Sequence, residues 1–126
     1  MGTFKINGGN KLHGSITPQG AKNEAMQIIC ASLLTEDKVT ITNLPNISDI
    51  NNLIDLLKDM GVCVDRISNN EVTLQAKELD FSYFNTEKFR EKSTKLRGSV
   101  MIVGPMLSRF GKGFLPKPNS TVKPGL

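Results

Sequence analysis

The chain has 126 residues, 38% hydrophobic and 22% charged, with no Trp and few aromatic residues. That length suits one domain with an aliphatic core of Ile, Leu, Val and Met, and no apolar run nears the roughly 18 residues of a membrane span. The net charge of +4 is unevenly spread: residues 1–86 hold 7 Lys/Arg against 10 Asp/Glu, and residues 87–126 hold 9 against 2, so an anionic partner is expected near the second segment.

Phe4-Lys5-Ile6 alternates and runs into Gly8-Gly9, a short strand and turn. Lys11 to Thr17 reads as a second weak strand, with Leu12 and Ile16 apolar, before Pro18-Gln19-Gly20 breaks the chain. Met1 to Asn10 has no apolar stretch of signal-peptide type, which predicts a cytoplasmic protein. From Ala21 to Leu34 the period is helical, with Ala25, Ile28, Ile29, Ser32 and Leu33 on one face. Lys38 to Thr42 alternates as a strand, Val39 and Ile41 inward, and Asn43-Leu44-Pro45-Asn46 ends it.

Ser48 is placed to cap the next helix. Ile50, Leu53, Ile54, Leu57 and Met60 form its apolar stripe, and Gly61 suits the position just past its end. Val62–Ile67 and Glu71–Ala76 read as a hairpin across Ser68-Asn69-Asn70, where asparagine tolerates positive φ. Residues 77–86 form a loop carrying Phe81, Tyr83 and Phe84. A long helix is expected over about Ser93 to Phe110, because Leu96, Val100, Val103, Leu107 and Phe110 recur at helical spacing. Pro105 should kink it, and Gly111 should end it. From Pro116 the chain is Pro-rich and aperiodic, an irregular tail. The order of elements predicts a mixed sheet with helices on one face.

Three groups could carry chemistry. Gly20-Ala21-Lys22-Asn23 opens a helix, where free N–H groups and the dipole attract anions. A cation in that first turn opposes the dipole unless an anion sits nearby, although a solvated surface lysine is the plainer account of Lys22. Arg97 edges the Leu96/Val100 stripe with Gly98-Ser99 beside it, a setting in which a guanidinium can hold a phosphate in bidentate fashion. A solvated basic face also explains it. If both residues serve one ligand, their charged ends must share a cleft. Arg109, in a last turn, is read as structural, bonding terminal carbonyls of its helix.

The basic tail with Lys112, Lys117 and Lys123 lacks base-stacking aromatics beyond Phe110 and Phe114, and no nucleic-acid-binding signature occurs, so nucleic acid is not an expected partner. Cys30, Cys63 and the single His13 have no metal-ligand spacing. Both cysteines lie among apolar residues and read as buried, reduced thiols.

Taken together, the segments resemble the enolpyruvyl transferase family. The matching residues are Gly8-Gly9 with Leu12-His13-Gly14, Gly20-Ala21-Lys22-Asn23-Glu24-Ala25, Ile41-Thr42-Asn43-Leu44-Pro45, Asp49-Ile50, Leu56 to Gly61, Leu96-Arg97-Gly98-Ser99 and Gly104 to Gly111. Each is weak alone, and their joint order over about residues 4–118 is specific. Asn23 after Lys22 resembles the branch acting on UDP-N-acetylglucosamine, since the shikimate-phosphate branch carries Ser there.

The resemblance implies an inside-out α/β barrel of repeated units. Residues 1–20 would belong with another domain, residues 21–115 would be a partial transferase domain, and residues 116–126 would be the irregular basic tail. It implies phosphoenolpyruvate and UDP-N-acetylglucosamine as substrates, in peptidoglycan synthesis; no cofactor is expected, and the spacing of Cys and His and the lack of a long apolar run predict no metal and no membrane partner. Lys22 matches the family's catalytic, ligand-binding lysine, Asn23 the asparagine that bonds the amino sugar, and Arg97 an arginine near the anionic groups. The family's proton-donating loop, with Gly-Gly-Cys or Gly-Gly-Asp, has no counterpart, because Asn119-Ser120-Thr121 follow Pro118. The chain alone is therefore expected to be inactive. A non-catalytic binding module is the competing reading. Self-association is expected through the Leu96/Val100/Val103/Leu107 stripe and the Ile50/Leu53/Leu57 helix.

Overall fold

A computed structural model describes residues 2–114, so the tail expected from Pro116, with Lys117 and Lys123, lies outside the described residues. The elements in order are α1 (Lys22–Ala31), a 3₁₀ turn (Ser32–Leu34), β1 (Val39–Ile41), α2 (Ser48–Asp59), β2 (Cys63–Ser68), β3 (Glu71–Gln75), a 3₁₀ helix (Phe81–Asn85), α3 (Glu87–Lys95), a second 3₁₀ helix (Arg97–Ile102) and α4 (Val103–Phe110). None of these helices is long and apolar enough to cross a membrane.

The described sheet has the order β1-β3-β2 and is antiparallel throughout, not mixed as the element order suggested. β3 is central. Its Val72 and Leu74, opposite Ile41 and Val39 of β1, are fully buried under the helices. On the other face the Thr40 and Thr73 hydroxyls pair at 2.8 Å in a solvent-facing rung. Helices therefore cover one face only. The β2–β3 hairpin forms as expected, with a bulge between Arg66 and Ser68. Its Asn residues do not use positive φ. Asn43 is the non-glycine residue that does, at φ 55. Asn70 instead clamps that strand exit, its side chain donating to the Leu44 carbonyl at 2.7 Å while its own carbonyl accepts from Leu44 N–H at 2.9 Å.

α2 buries Ile50, Leu53, Ile54 and Leu57 along the expected stripe, each worth roughly 1.5–3 kcal/mol. Ser48 is the first helical residue and not its cap: extended Ile47 precedes it, and no side chain caps the turn. At the other end Gly61 takes φ 108, and the N–H groups of Gly61 and Val62 reach back to the carbonyls of Lys58 and Leu57, both at 3.1 Å. That pair of bonds is a Schellman motif, closed by buried Val62 against Leu57.

α1 is rotated from the expected face. Met26 and Cys30 join Ala25 and Ile29 inside, and Ile28 is left 41% exposed. The segment 2–19 forms neither of its two expected strands, and Phe4, Ile6, Leu12 and Ile16 stand in solvent. A lone pair of short strands with no third partner buries too little to hold itself together.

The expected helix over Ser93 to Phe110 is also broken. α3 starts earlier, at Glu87, where the Thr86 hydroxyl accepts from Phe89 N–H at 3.2 Å. It stops at Leu96, whose φ −116 and ψ 104 are extended. The buried Ser99 hydroxyl donates to the Ser93 carbonyl at 2.9 Å, joining the Leu96 N–H, which bonds the same carbonyl at 3.3 Å, so the helix end is satisfied. Pro105 consequently lies in the first turn of α4, where a missing N–H costs little, and it needs no kink.

Of the presumed stripe only Leu96 is buried. Val100 and Leu107 are about half exposed, and Ile102 and Met106 point inward in their place. Ile50, Leu53 and Leu57 are also buried, so the α2 surface named for self-association is closed, while the other is partly open, at Val100 and Leu107. The core is not purely aliphatic. Phe84 packs on Tyr83, Phe89 and stacked Phe114, with Phe81 against Phe110, in one aromatic cluster. Cys30 is buried, and burial pushes its thiol up to about 12. Cys63, expected inside, is exposed at the start of β2.

Candidate functional site

Two glycines bring the presumed ligand residues into register. A Cβ on Gly20 would run into the Asn43 carbonyl, so only glycine lets the strand exit cross beneath the start of α1. A Cβ on Gly98 would run into the Met26 side chain, so Gly98 lets the 3₁₀ helix lie directly on α1. Gly98 also lines the cleft beside Arg97. Arg97 then emerges one residue before the contact, beside the first turn of α1.

Lys22, Asn23 and Arg97 line one cleft of about 210 Å³, together with Asp49. Met26, Val100 and Met101 supply apolar wall. Extended Ala21 precedes α1, and no side chain caps its first turn. The Lys22 ammonium stands 2.5 Å from the Asp49 carboxylate in the first turn of α2, with both side chains half exposed. Arg97 has no ion-pair partner among the described residues. Residues carrying two cations, one acid and a side-chain amide thus line a small hollow whose surface is mostly apolar. Such a set can hold an anion beside a polar group.

Arg109 does not bond its own helix end. Its guanidinium donates to the carbonyls of Leu33 at 2.9 Å, Thr35 at 3.1 Å and Lys77 at 3.3 Å, tying α4 to the end of the α1 turn and to the exit of β3. The structural role stands, and the carbonyls belong to other elements. His13 lies in the exposed N-terminal segment, away from this cleft.

A second charged group escaped the sequence reading. Asp59 of α2 accepts from Lys92 of α3 and, at 3.1 Å, from the Tyr83 hydroxyl, while Lys92 also reaches Asp55 at 3.1 Å and Lys88 lies 3.6 Å from Asp59. Burial alone would raise the Asp59 carboxyl, but hydrogen bonds from Lys92 and Tyr83, with the nearby lysine charges, outweigh it and hold the carboxyl below its ordinary value. The bond to Asp59 raises Lys92 in turn. Burial, then Asp59, pushes Tyr83 up to about 12. The signal was present: Asp55/Asp59 and Lys88/Lys92 are each one helical turn apart, a pattern for two facing helices. This lock pins α3, which leads straight into Arg97.

Residues 6–118 match the family described as EPSP synthase (3-phosphoshikimate 1-carboxyvinyltransferase). The chain belongs to this family. Among relatives of the EPSP synthase family, the UDP-N-acetylglucosamine 1-carboxyvinyltransferase of Porphyromonas gingivalis is 52% identical over 118 residues, covering 94% of this chain and 27% of the relative. The protein of the same name from Bacteroides fragilis is 50% identical over the same shares, and that of Bradyrhizobium diazoefficiens is 36% identical over 119 residues. The chain thus spans about a quarter of the length of these relatives. Family and relatives alike are named as transferases of the 1-carboxyvinyl, or enolpyruvyl, group.

Proposed function

We propose that these residues form one wall of the ligand site of a UDP-N-acetylglucosamine 1-carboxyvinyltransferase serving peptidoglycan synthesis in the cytoplasm. The cleft that gathers Lys22, Asn23 and Arg97 carries this reading, in a chain half identical to proteins of that name. In the complete enzyme this region would be one repeat unit of an inside-out α/β barrel, and residues 1–20 would pack with another domain.

Phosphoenolpyruvate carries a phosphate and a carboxylate, and Lys22 and Arg97 are the cations for them. Asn23 would bond the amino sugar. The sugar 3-hydroxyl oxygen would bond to C2 of the enolpyruvyl group as its own proton passes to a base, while the methylene takes a proton from an acid, neither of them supplied by this cleft. The tetrahedral intermediate then loses a proton from the new methyl as the C2–O bond to phosphate breaks. Fixed cations stabilise the charge that develops on the departing phosphate. The cleft's one acid, Asp49, is already engaged by Lys22, so the cleft as described offers binding groups and no free proton donor. Binding without turnover is the consequence for this chain.

The test is titration of the 126-residue chain with phosphoenolpyruvate, followed by ¹H–¹⁵N resonances. Shifts should cluster at Lys22, Asn23 and Arg97, and Lys22→Ala or Arg97→Ala should weaken binding by about tenfold or more, the worth of a charged hydrogen bond. Shifts elsewhere, or variants that bind as wild type, overturn the site. Phosphate release dependent on UDP-N-acetylglucosamine would overturn the inactivity.

A further inference from the structure

The closest polar contact in the cleft is internal: Lys22 touches Asp49 before any ligand arrives. The two residues have opposite relations to their helices. Lys22 opens α1, where the dipole disfavours a cation, and Asp49 sits in the first turn of α2, where the dipole favours an anion. The ammonium therefore needs a negative neighbour, and the carboxylate is held in place to be that neighbour.

The side chains are 49% and 42% exposed, so the pair is weak and exchangeable. Arg97, in the same cleft, carries no such counter-charge among the described residues. With Asp49 the four polar residues of the cleft sum to one positive charge, and without it they would sum to two.

We propose that Asp49 is a resident competitor for Lys22, a carboxylate that occupies the ammonium until the phosphate or carboxylate of an incoming ligand displaces it. This rests on the reading of the cleft as an anion site. Asp49 thereby sets the threshold for occupancy: a monoanion gains little by replacing it, whereas a ligand of two or more negative charges gains from both Lys22 and Arg97. It selects by charge number with a single side chain, without touching the ligand.

The test is the affinity of the 126-residue chain for inorganic phosphate, at low salt, in wild type, Asp49→Asn and Asp49→Glu. Losing a weak competing pair and one nearby negative charge should tighten phosphate binding by about threefold to tenfold in Asp49→Asn. Asp49→Glu, which restores the charge, should return toward wild type. A residue that merely supported the fold would give the opposite sign, with weaker binding in step with a lower melting temperature. Equal or weaker binding by Asp49→Asn, with wild-type binding still dependent on Lys22 and Arg97, overturns the competitor and leaves the site standing. No phosphate binding by wild type or Asp49→Asn overturns both. Should the variant not fold, the wild-type Asp49 carboxyl ¹³C resonance decides, because it must move as phosphate saturates the cleft, and a fixed resonance refutes the exchange.

Discussion

Replacing Arg109 by alanine removes three hydrogen bonds at once, to the carbonyls of Leu33, Thr35 and Lys77. The first two are part-buried and accept from a charged donor, the class worth roughly 1.5–3 kcal/mol each. Water can enter where the long side chain leaves, which reduces each loss toward the lower bound, and the exposed bond to Lys77 adds little. The sum is about 3 kcal/mol. With a urea slope of about 1–1.5 kcal/mol/M for a domain this size, the unfolding midpoint should fall by about 2–3 M. Arg109→Lys should recover about a third of the loss, since an ammonium reaches one of the carbonyls rather than three. Arg109 is not among the cleft residues, so phosphate affinity below the unfolding transition should be unchanged. A midpoint shift under about 0.5 M in Arg109→Ala would refute the tie, on the same slope.

Asp59 is held below its unfolded value of 3.8, so its contribution is full above that pH and disappears as pH falls through the lower folded value. Asp59→Asn should cost about 1–2 kcal/mol at pH 7, Lys92 keeping Asp55, and the gap between variant and wild type should begin to narrow only below about pH 4 and close as the folded carboxyl protonates; a gap that persists in strong acid argues against the carboxylate. A thiol reagent at pH 8 should label Cys63 rapidly and Cys30 only on unfolding, read by peptide mass; fast loss of both thiols would contradict the buried position of Cys30. With Phe4, Ile6, Leu12 and Ile16 exposed together, light scattering should show concentration-dependent association, and a strict monomer at high concentration would count against it.

Regular, strongly patterned elements were legible in the residues. α2 announced itself by its stripe, its glycine stop and the hairpin that follows. Lys22 and Arg97 drew notice at a helix start and a stripe edge, but only the family resemblance joins them with Asn23 as ligand residues; the three line one cleft. What could not be read was decided by contacts distant in sequence. On α1 Met26 turns inward and lies against Gly98, a contact no local period records. The helix expected through Leu96 broke where Ser99 offered its hydroxyl to Ser93, an alternative that a spacing of three and four does not reveal. Arg109 looked like the cap of its own helix because the carbonyls it takes lie 32 or more positions away.

The interruption at Leu96 sets stability and function at odds. In a continuous helix each residue turns about 100° from the last, so regularising this stretch would swing Arg97 around the axis and away from α1. Gly98 and Ser99 are the poor helix formers that keep this from happening, and alanine at either would favour the unbroken form by roughly 0.5–1 kcal/mol in isolation. A search for thermostable variants scored on helix content would therefore favour the very changes that dismantle the cleft. An irregularity that looks like a defect in the fold is where the position of the arginine is encoded.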